Sequence, residues 1–233
     1  MKKIFVLIAV IVLVSCSKDD NAVVTKKMLT SFTVTENGAA STTELAYDEN
    51  RNITGITTDG VVKYTFAYNK GNLIVMYDGP QDDPNTNELF NILYQNNQPS
   101  DYIGESGISS FITYNATTRK YIFVASALEV LLKNRDIASI NETEGDILAA
   151  IAYDETEMHF GCLHNAPNSS IWILPFFTDT YSDLSTQAMT SVTLNGTVYT
   201  AANTFDEEGY VTKMVLTSAG ATTRTVEYHY TQM

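Results

Sequence analysis

Two histidines and a thiol lie close together in the sequence, at His159, Cys162 and His164. Imidazole and thiolate groups are the ligands that zinc prefers. Their spacing matches no common zinc module, and on a strand His159 and His164 would point to opposite faces. We therefore expect a strand followed by a turn with a buried thiol, and no metal site.

An acidic loop offers oxygen ligands for calcium. Asp83, Asn85 and Asn87 reproduce the first three ligand positions of an EF-hand loop. The sixth position, which should be glycine, is Glu88, and the twelfth, which should be glutamate, is Tyr94. The motif fails, and we expect a solvated hairpin connection and no cofactor.

Hydrolytic chemistry has little support. The stretch Gly104–Gly107 resembles a nucleophile elbow but lacks the G-x-S-x-G spacing. The 27 acidic residues supply many carboxylate pairs, so a hydrolase with unrecognised carboxylates is kept as a second alternative. We expect no catalytic residue.

One aromatic stretch could bind a ligand. It holds the single tryptophan, Trp172, with Phe176 and Phe177 close behind. Exposed aromatic rings stack on sugars and on hydrophobic ligands. The alternative is a central strand, buried on both faces, that ends at Pro175. These three residues are the candidate ligand-binding set.

The N-terminus has the pattern of an export signal. Lys2 and Lys3 precede an apolar run over residues 4–14, which is too short for a membrane-spanning helix of about 20 residues. The following Leu13–Cys16 resembles the lipobox of bacterial lipoproteins. That resemblance implies cleavage before Cys16 and acylation of Cys16.

The residues after the cysteine are Ser17, Lys18, Asp19 and Asp20. They resemble the short acidic tag that sends Bacteroidetes lipoproteins to the outer face of the outer membrane. We expect a lipid-anchored outer-membrane protein on the cell surface, with periplasm-facing attachment as the alternative.

Net charge excludes some partners. The chain carries −13 at neutral pH, and removal of the signal makes it more negative. Such a field repels phosphate backbones and anionic headgroups, so we expect no nucleic-acid binding and a membrane attachment through the lipid alone. With Cys16 acylated, Cys162 has no intramolecular disulfide partner, and the core must provide the stability.

Tyrosines followed by turn formers repeat along the chain. Tyr47-Asp48 and Tyr68-Asn69 are 21 residues apart, and each precedes a turn and a new β-type run. Asp59-Gly60 between them is a strong hairpin signal. These units resemble the tyrosine–aspartate repeats of Rhs-type shell proteins, and more closely those of a group of uncharacterised Bacteroidetes surface lipoproteins. The resemblance implies an antiparallel β fold and no reaction.

The middle third breaks this pattern. Ser126 and Glu129 have the spacing of a capping box, which predicts a helix over residues 126–135. A second helix is expected over 141–150, although residues 147–153 equally fit a buried strand. The predicted fold is mainly β, an antiparallel meander of about ten strands with one or two helices.

The expected organisation is a signal peptide over 1–15, an acylated cysteine and flexible tether over 16–28, and one domain over 29–233. A helical insertion occupies about 124–150. We expect a monomeric, non-catalytic surface module that binds a glycan or a protein. The first alternative is a carrier of lipid or another hydrophobic ligand, in which a helix caps an open half-barrel.

Overall fold

The chain folds into a closed antiparallel barrel. The computed structural model describes residues 25–69, 73–78, 88–95, 98–103, 109–118, 120–124, 127–143, 145–156, 158–167 and 183–233. Within them each strand pairs with the next in sequence, and the first pairs with the last. The strands are β1 (Lys27–Glu36), β2 (Ala39–Tyr47), β3 (Ile53–Thr58), β4 (Val61–Asn69), β5 (Leu73–Asp78), β6 (Glu88–Gln95), β7 (Gln98–Ile103), β8 (Ser109–Asn115), β9 (Lys120–Phe123), β10 (Leu128–Lys133), β11 (Asp136–Glu142), β12 (Ile147–Tyr153), β13 (Met189–Leu194), β14 (Thr197–Phe205), β15 (Val211–Ser218) and β16 (Ala221–Gln232).

The predicted helices are wrong. Residues 128–133 and 136–142 form a hairpin, and residues 147–153 form β12, so the expected insertion over 124–150 is part of the barrel wall. Leu128, Val130 and Leu132 alternate along β10 toward the core. Glu129 lies on the other face, where it pairs with Lys120 at 2.6 Å. This period of two favours a strand over the local capping signal.

Tight turns close one end of the barrel wall, which we call the mouth. Asn37-Gly38 joins β1 to β2, and Asp59-Gly60 joins β3 to β4. All four residues have positive φ, between 51° and 81°, as two-residue hairpins with type I′ geometry require. The hairpin expected at Asp59-Gly60 is confirmed.

The two faces of the wall differ in chemistry. Phe32 in β1 and Val226 in β16 point inward and are fully buried. Their outward neighbours are polar, and in β16 Glu227 and His229 are exposed. Lys213 pairs with Glu227 on this outer face at 2.8 Å. The core therefore lies inside the barrel.

A long connection between β12 and β13 closes the opposite end, which we call the plug end. Its described residues, 154–167 without 157, and 183–188, include buried Cys162, Leu163 and Leu184. The N-terminal strand begins at this end, where Lys26 and Met233 exchange two backbone hydrogen bonds. Across the described residues there is no helix long and apolar enough to cross a membrane.

Candidate functional site

A cavity of about 780 Å³ opens at the mouth of the barrel. It lies between the mouth-end halves of β1, β2, β3 and β4, with β16 beside β1. A barrel of many strands is too wide for wall side chains alone to fill. The plug fills the other end, and this space remains at the mouth.

The floor of the cavity is apolar. Phe32, Leu45 and Ile56 reach it from the wall, and each is less than 10% exposed. Leu184 reaches it from the plug and is 5% exposed. Each wall residue belongs to the inward set of its strand, so the floor follows from alternation along the strands.

Hydroxyl groups form part of the cavity wall, and the Asp59-Gly60 turn beside them is hydrogen-bonded to β2. The hydroxyls of Thr43 and Thr58 lie 3.0 Å apart and hydrogen-bond to each other. The Asp59 carboxylate accepts hydrogen bonds from the Thr42 amide and the Ser41 hydroxyl, both at 2.8 Å. The Thr42 amide, followed by Ser41, lowers the pKa of Asp59. The turn is thus held against β2 beside the mouth.

Charged groups lie on two sides of the cavity, Arg224 and Glu36 on β16 and β1 and Lys63 on β4. Arg224 of β16 donates from Nη2 to Oδ2 of Asp183 at 2.5 Å, and from Nη1 to Oε2 of Glu36 at 3.4 Å. The Asp183 side chain is fully buried behind Arg224. Lys63 and Glu36 line the cavity and are exposed at its rim. The cavity therefore combines an apolar floor with a few polar groups, as small-molecule sites do.

The plug is fixed to the wall through Asp136, the first residue of β11. Its carboxylate accepts hydrogen bonds from the Thr186 amide at 2.7 Å, the Thr186 hydroxyl at 2.8 Å and the Gln187 amide at 2.9 Å. Burial raises the pKa of Asp136 to about 6, against the opposing effect of these bonds and of Arg135. Arg135 also donates to the carbonyl of Ala166 at 2.5 Å.

The His159, Cys162 and His164 side chains do not converge. His159 Nδ1 lies 2.7 Å from the carboxylate of Asp154, and its ring stacks on Phe205. His164 stacks on Phe160. In the part of the chain that the structure describes, no three His, Cys, Asp or Glu residues group as metal ligands do.

Cys162 is a core residue. It is 3% exposed, and its thiol faces the carbonyls of Asp183 and Ser185. Burial raises the pKa of Cys162 to about 12. A thiol in this state is a poor nucleophile and a poor metal ligand.

The remaining predicted site residues lie outside the described residues. These are Cys16, Ser17, Lys18, Asp19, Asp20, Trp172, Phe176 and Phe177, together with most of the acidic loop that begins at Asp78. Their roles stay predictions.

Sequence reasoning missed the charged residues that line the cavity. Arg224 shares the parity of Val226 and Tyr228, so alternation along the last strand places it on the inward face. An arginine in an otherwise apolar inward set was the available signal. Lys63 gave no such signal, because β4 shifts its register against β3 between Ile56 and Thr57.

No protein-family model matches the sequence, and no curated protein matches it. Two solved structures match the chain. A porin-like protein from Bacteroides vulgatus is 9% identical with a TM-score of 0.52, and the match covers 88% of this chain and 99% of that one. A porin-like protein from Bacteroides uniformis is 12% identical with a TM-score of 0.45, covering 87% and 98%. The chain is thus similar in fold, at low identity, to a β-rich protein of Bacteroides.

Proposed function

We propose that this protein is a non-catalytic, lipid-anchored module of the outer membrane that binds a small amphipathic molecule in the cavity at its mouth. The observation that carries the proposal is the cavity itself, closed below by the plug and open at the mouth. Its volume of about 780 Å³ lies within the roughly 300–1,000 Å³ typical of ligand pockets.

The charges around the cavity support binding over catalysis. Among the described residues that line the cavity Glu36 is the one carboxylate, Asp183 lies behind Arg224, and Arg224 bonds to both. General acid–base catalysis by a carboxyl group requires that this group can reach the substrate with its proton. The Asp183 side chain is fully buried behind Arg224, and the Glu36 side chain is 51% exposed at the rim. This arrangement supplies fixed charge, not an acid–base pair.

The outer wall supports anchoring through the lipid. Barrels that span membranes present an apolar band outward. Here the described outward side chains of β1 and β16 are polar, among them Thr33, Thr35, Glu227 and His229, while apolar residues are exposed on other strands, among them Phe111 and Val198. The outward face of β1 and β16 thus carries no apolar band, and attachment of this chain is assigned to Cys16.

The position of the first strand shows which end of the barrel the anchor is attached to. β1 begins at the plug end, and the chain from Cys16 to Lys26 spans at most roughly 35 Å when fully extended. The lipid anchor is therefore attached at the plug end, opposite the mouth. Binding of a glycan or a protein through Trp172, Phe176 and Phe177 stays a prediction, since those residues lie outside the described ones.

The test uses the mature chain with Cys16→Ser and Nile red, a neutral dye that brightens in apolar surroundings. Val34 lines the cavity, and Thr35, the next residue of β1, is exposed on the other face. Val34→Trp should abolish the fluorescence gain, while Thr35→Trp should leave it unchanged. Undiminished dye binding by a folded Val34→Trp protein would overturn the proposal.

A further inference from the structure

We infer that the preferred ligand is an amphipathic carboxylic acid, with its apolar body on the cavity floor and its carboxylate on Arg224. This inference rests on the proposed function and names the ligand class for the same cavity.

The guanidinium of Arg224 is incompletely used. A guanidinium presents five N–H donors in a planar fork that matches a carboxylate. Nη2 is bonded to Asp183 and Nη1 makes only the 3.4 Å contact with Glu36. The Nε atom is buried, so a ligand cannot reach it, and the donors that a ligand can use are those of Nη1. Among the described residues Nη1 makes only the long contact with Glu36, so a ligand carboxylate would supply a better acceptor.

The protein holds this guanidinium in place from behind. The Asp183 side chain is 0% exposed, and its backbone carbonyl accepts a hydrogen bond from Tyr228 at 2.8 Å. Tyr228 lies on the same face of β16 as Arg224. Because the plug and the wall both fix the ion pair, the remaining donors are preorganised, and binding costs little side-chain entropy.

The Glu36 contact is weak enough for a ligand to replace. The Glu36 side chain is 51% exposed, and exposed ion pairs contribute little to stability. A ligand carboxylate can take its place on Nη1, and Glu36 then turns into solvent. Glu36 therefore competes with the ligand.

The other charges at the cavity also favour an anion. Lys63 is a second cation at the rim, so two cations and one replaceable carboxylate line the space. Asp183 is fully buried behind Arg224, and Asp59 lies beside Lys63 but forms its hydrogen bonds with β2. A cationic ligand would meet Arg224 and Lys63 directly. The floor of Phe32, Leu45, Ile56 and Leu184 accepts only an apolar body.

The experiment is displacement of Nile red from the mature Cys16→Ser chain at neutral pH by dodecanoate, dodecanol and dodecylammonium, all as monomers. These share one alkyl chain and differ in head-group charge. We expect dodecanoate to displace the dye at about tenfold lower concentration than dodecanol, because a charged hydrogen bond is worth at least that factor. Dodecylammonium should be the weakest competitor.

Two variants assign the preference to Arg224. Arg224→Gln should remove the advantage of dodecanoate over dodecanol in displacing the dye. Glu36→Gln, an exposed change that leaves the Arg224–Asp183 pair intact, should strengthen dodecanoate binding severalfold and leave dodecanol unchanged. Equal displacement by acid and alcohol, or a Glu36→Gln protein with unaltered dodecanoate binding, would overturn the inference. In both cases the proposed function survives, whereas no displacement by any of the three would count against the proposed function itself.

Discussion

The hydroxyl of Tyr47 donates a 2.5 Å hydrogen bond to the carbonyl of Leu29, at the residue where β1 shifts its register against β16. The same contact recurs at the plug end of three further hairpins. In each, a tyrosine near the end of one strand bonds a carbonyl at a register shift in the strand before it: Tyr68 to Ile53, Tyr153 to Ile137, and Tyr230 to Val211. A bulge interrupts the backbone hydrogen bonds between two strands, and the tyrosine hydroxyl donates a hydrogen bond to a carbonyl at that interruption.

Tyr47→Phe should destabilise the protein by about 1–3 kcal/mol, because it leaves the buried Leu29 carbonyl without its donor. The matched control is Tyr114→Phe, whose ring is 43% exposed on the wall and whose loss of a hydroxyl should change stability by less than about 0.5 kcal/mol. Urea denaturation of both variants measures the difference. Equal stability of the two would contradict the role given to these tyrosines.

Local chemistry made the hairpins predictable. One carboxylate oxygen of Asp48 accepts hydrogen bonds from the backbone amides of Asn50 and Asn52. One carboxylate oxygen of Asp206 accepts hydrogen bonds from the backbone amides of Glu208 and Tyr210 in the same way. Such turns are formed by neighbouring residues and can be recognised in a sequence. The antiparallel meander follows from them.

Closure of the barrel depends on contacts distant in sequence. The pairing of β1 with β16 joins residues almost two hundred positions apart, and no local sequence pattern predicts it. For the same reason the residues that line the cavity were not predicted: Phe32, Ile56, Leu184 and Arg224 come together only when the barrel closes around the plug. The helix expected over 126–135 does not form, because burying Val130 in a continuous sheet stabilises the strand more than a local capping box would stabilise a helix.

The stability of the protein should depend on pH through the titration of Asp136. Its pKa is raised from 3.8 to about 6 by burial, so the folded protein binds a proton that the unfolded chain has released between these pH values. Stability from this group therefore falls as pH rises from about 4 to about 6, by on the order of 3 kcal/mol. The pKa values of Asp59, Asp154 and Asp206 are lowered in the folded protein. The stability that these three groups contribute is therefore lost only as the pH falls below about 4.

The measurement is the free energy of unfolding of the wild type and Asp136→Asn from about pH 4 to about pH 7. Relative to the variant, the wild type should be most stable at the acid end and lose that advantage by neutral pH. Parallel curves for the two proteins would show that Asp136 does not titrate in this window.

Cys162 should resist thiol reagents in the folded protein, because its thiol is 3% exposed and burial raises its pKa to about 12. In the mature Cys16→Ser chain, reaction with Ellman's reagent should follow unfolding of the plug. The control places an accessible thiol by Met158→Cys in a Cys162→Ala background, since Met158 is 76% exposed. A native Cys162 that reacts as fast as the control would contradict its placement in the core.

Membrane attachment should depend on Cys16. In a host that makes lipoproteins, Cys16→Ala should accumulate as an unlipidated precursor that takes up no labelled palmitate. Cys162→Ala is the control and should mature and fractionate with the membrane as the wild type does. Normal maturation of Cys16→Ala would refute the lipidation hypothesis.

The most direct test of the cavity as the binding site is a dodecanoate titration followed by amide chemical shifts of the nitrogen-labelled mature Cys16→Ser chain. The largest shifts should fall at the mouth, on Val34, Thr43 and Ile56, which line or adjoin the cavity. The amides of Gly161 and Asp206 at the plug end should stay in place. Shifts centred on the plug end or spread over the outer wall, or none at all, would contradict the account.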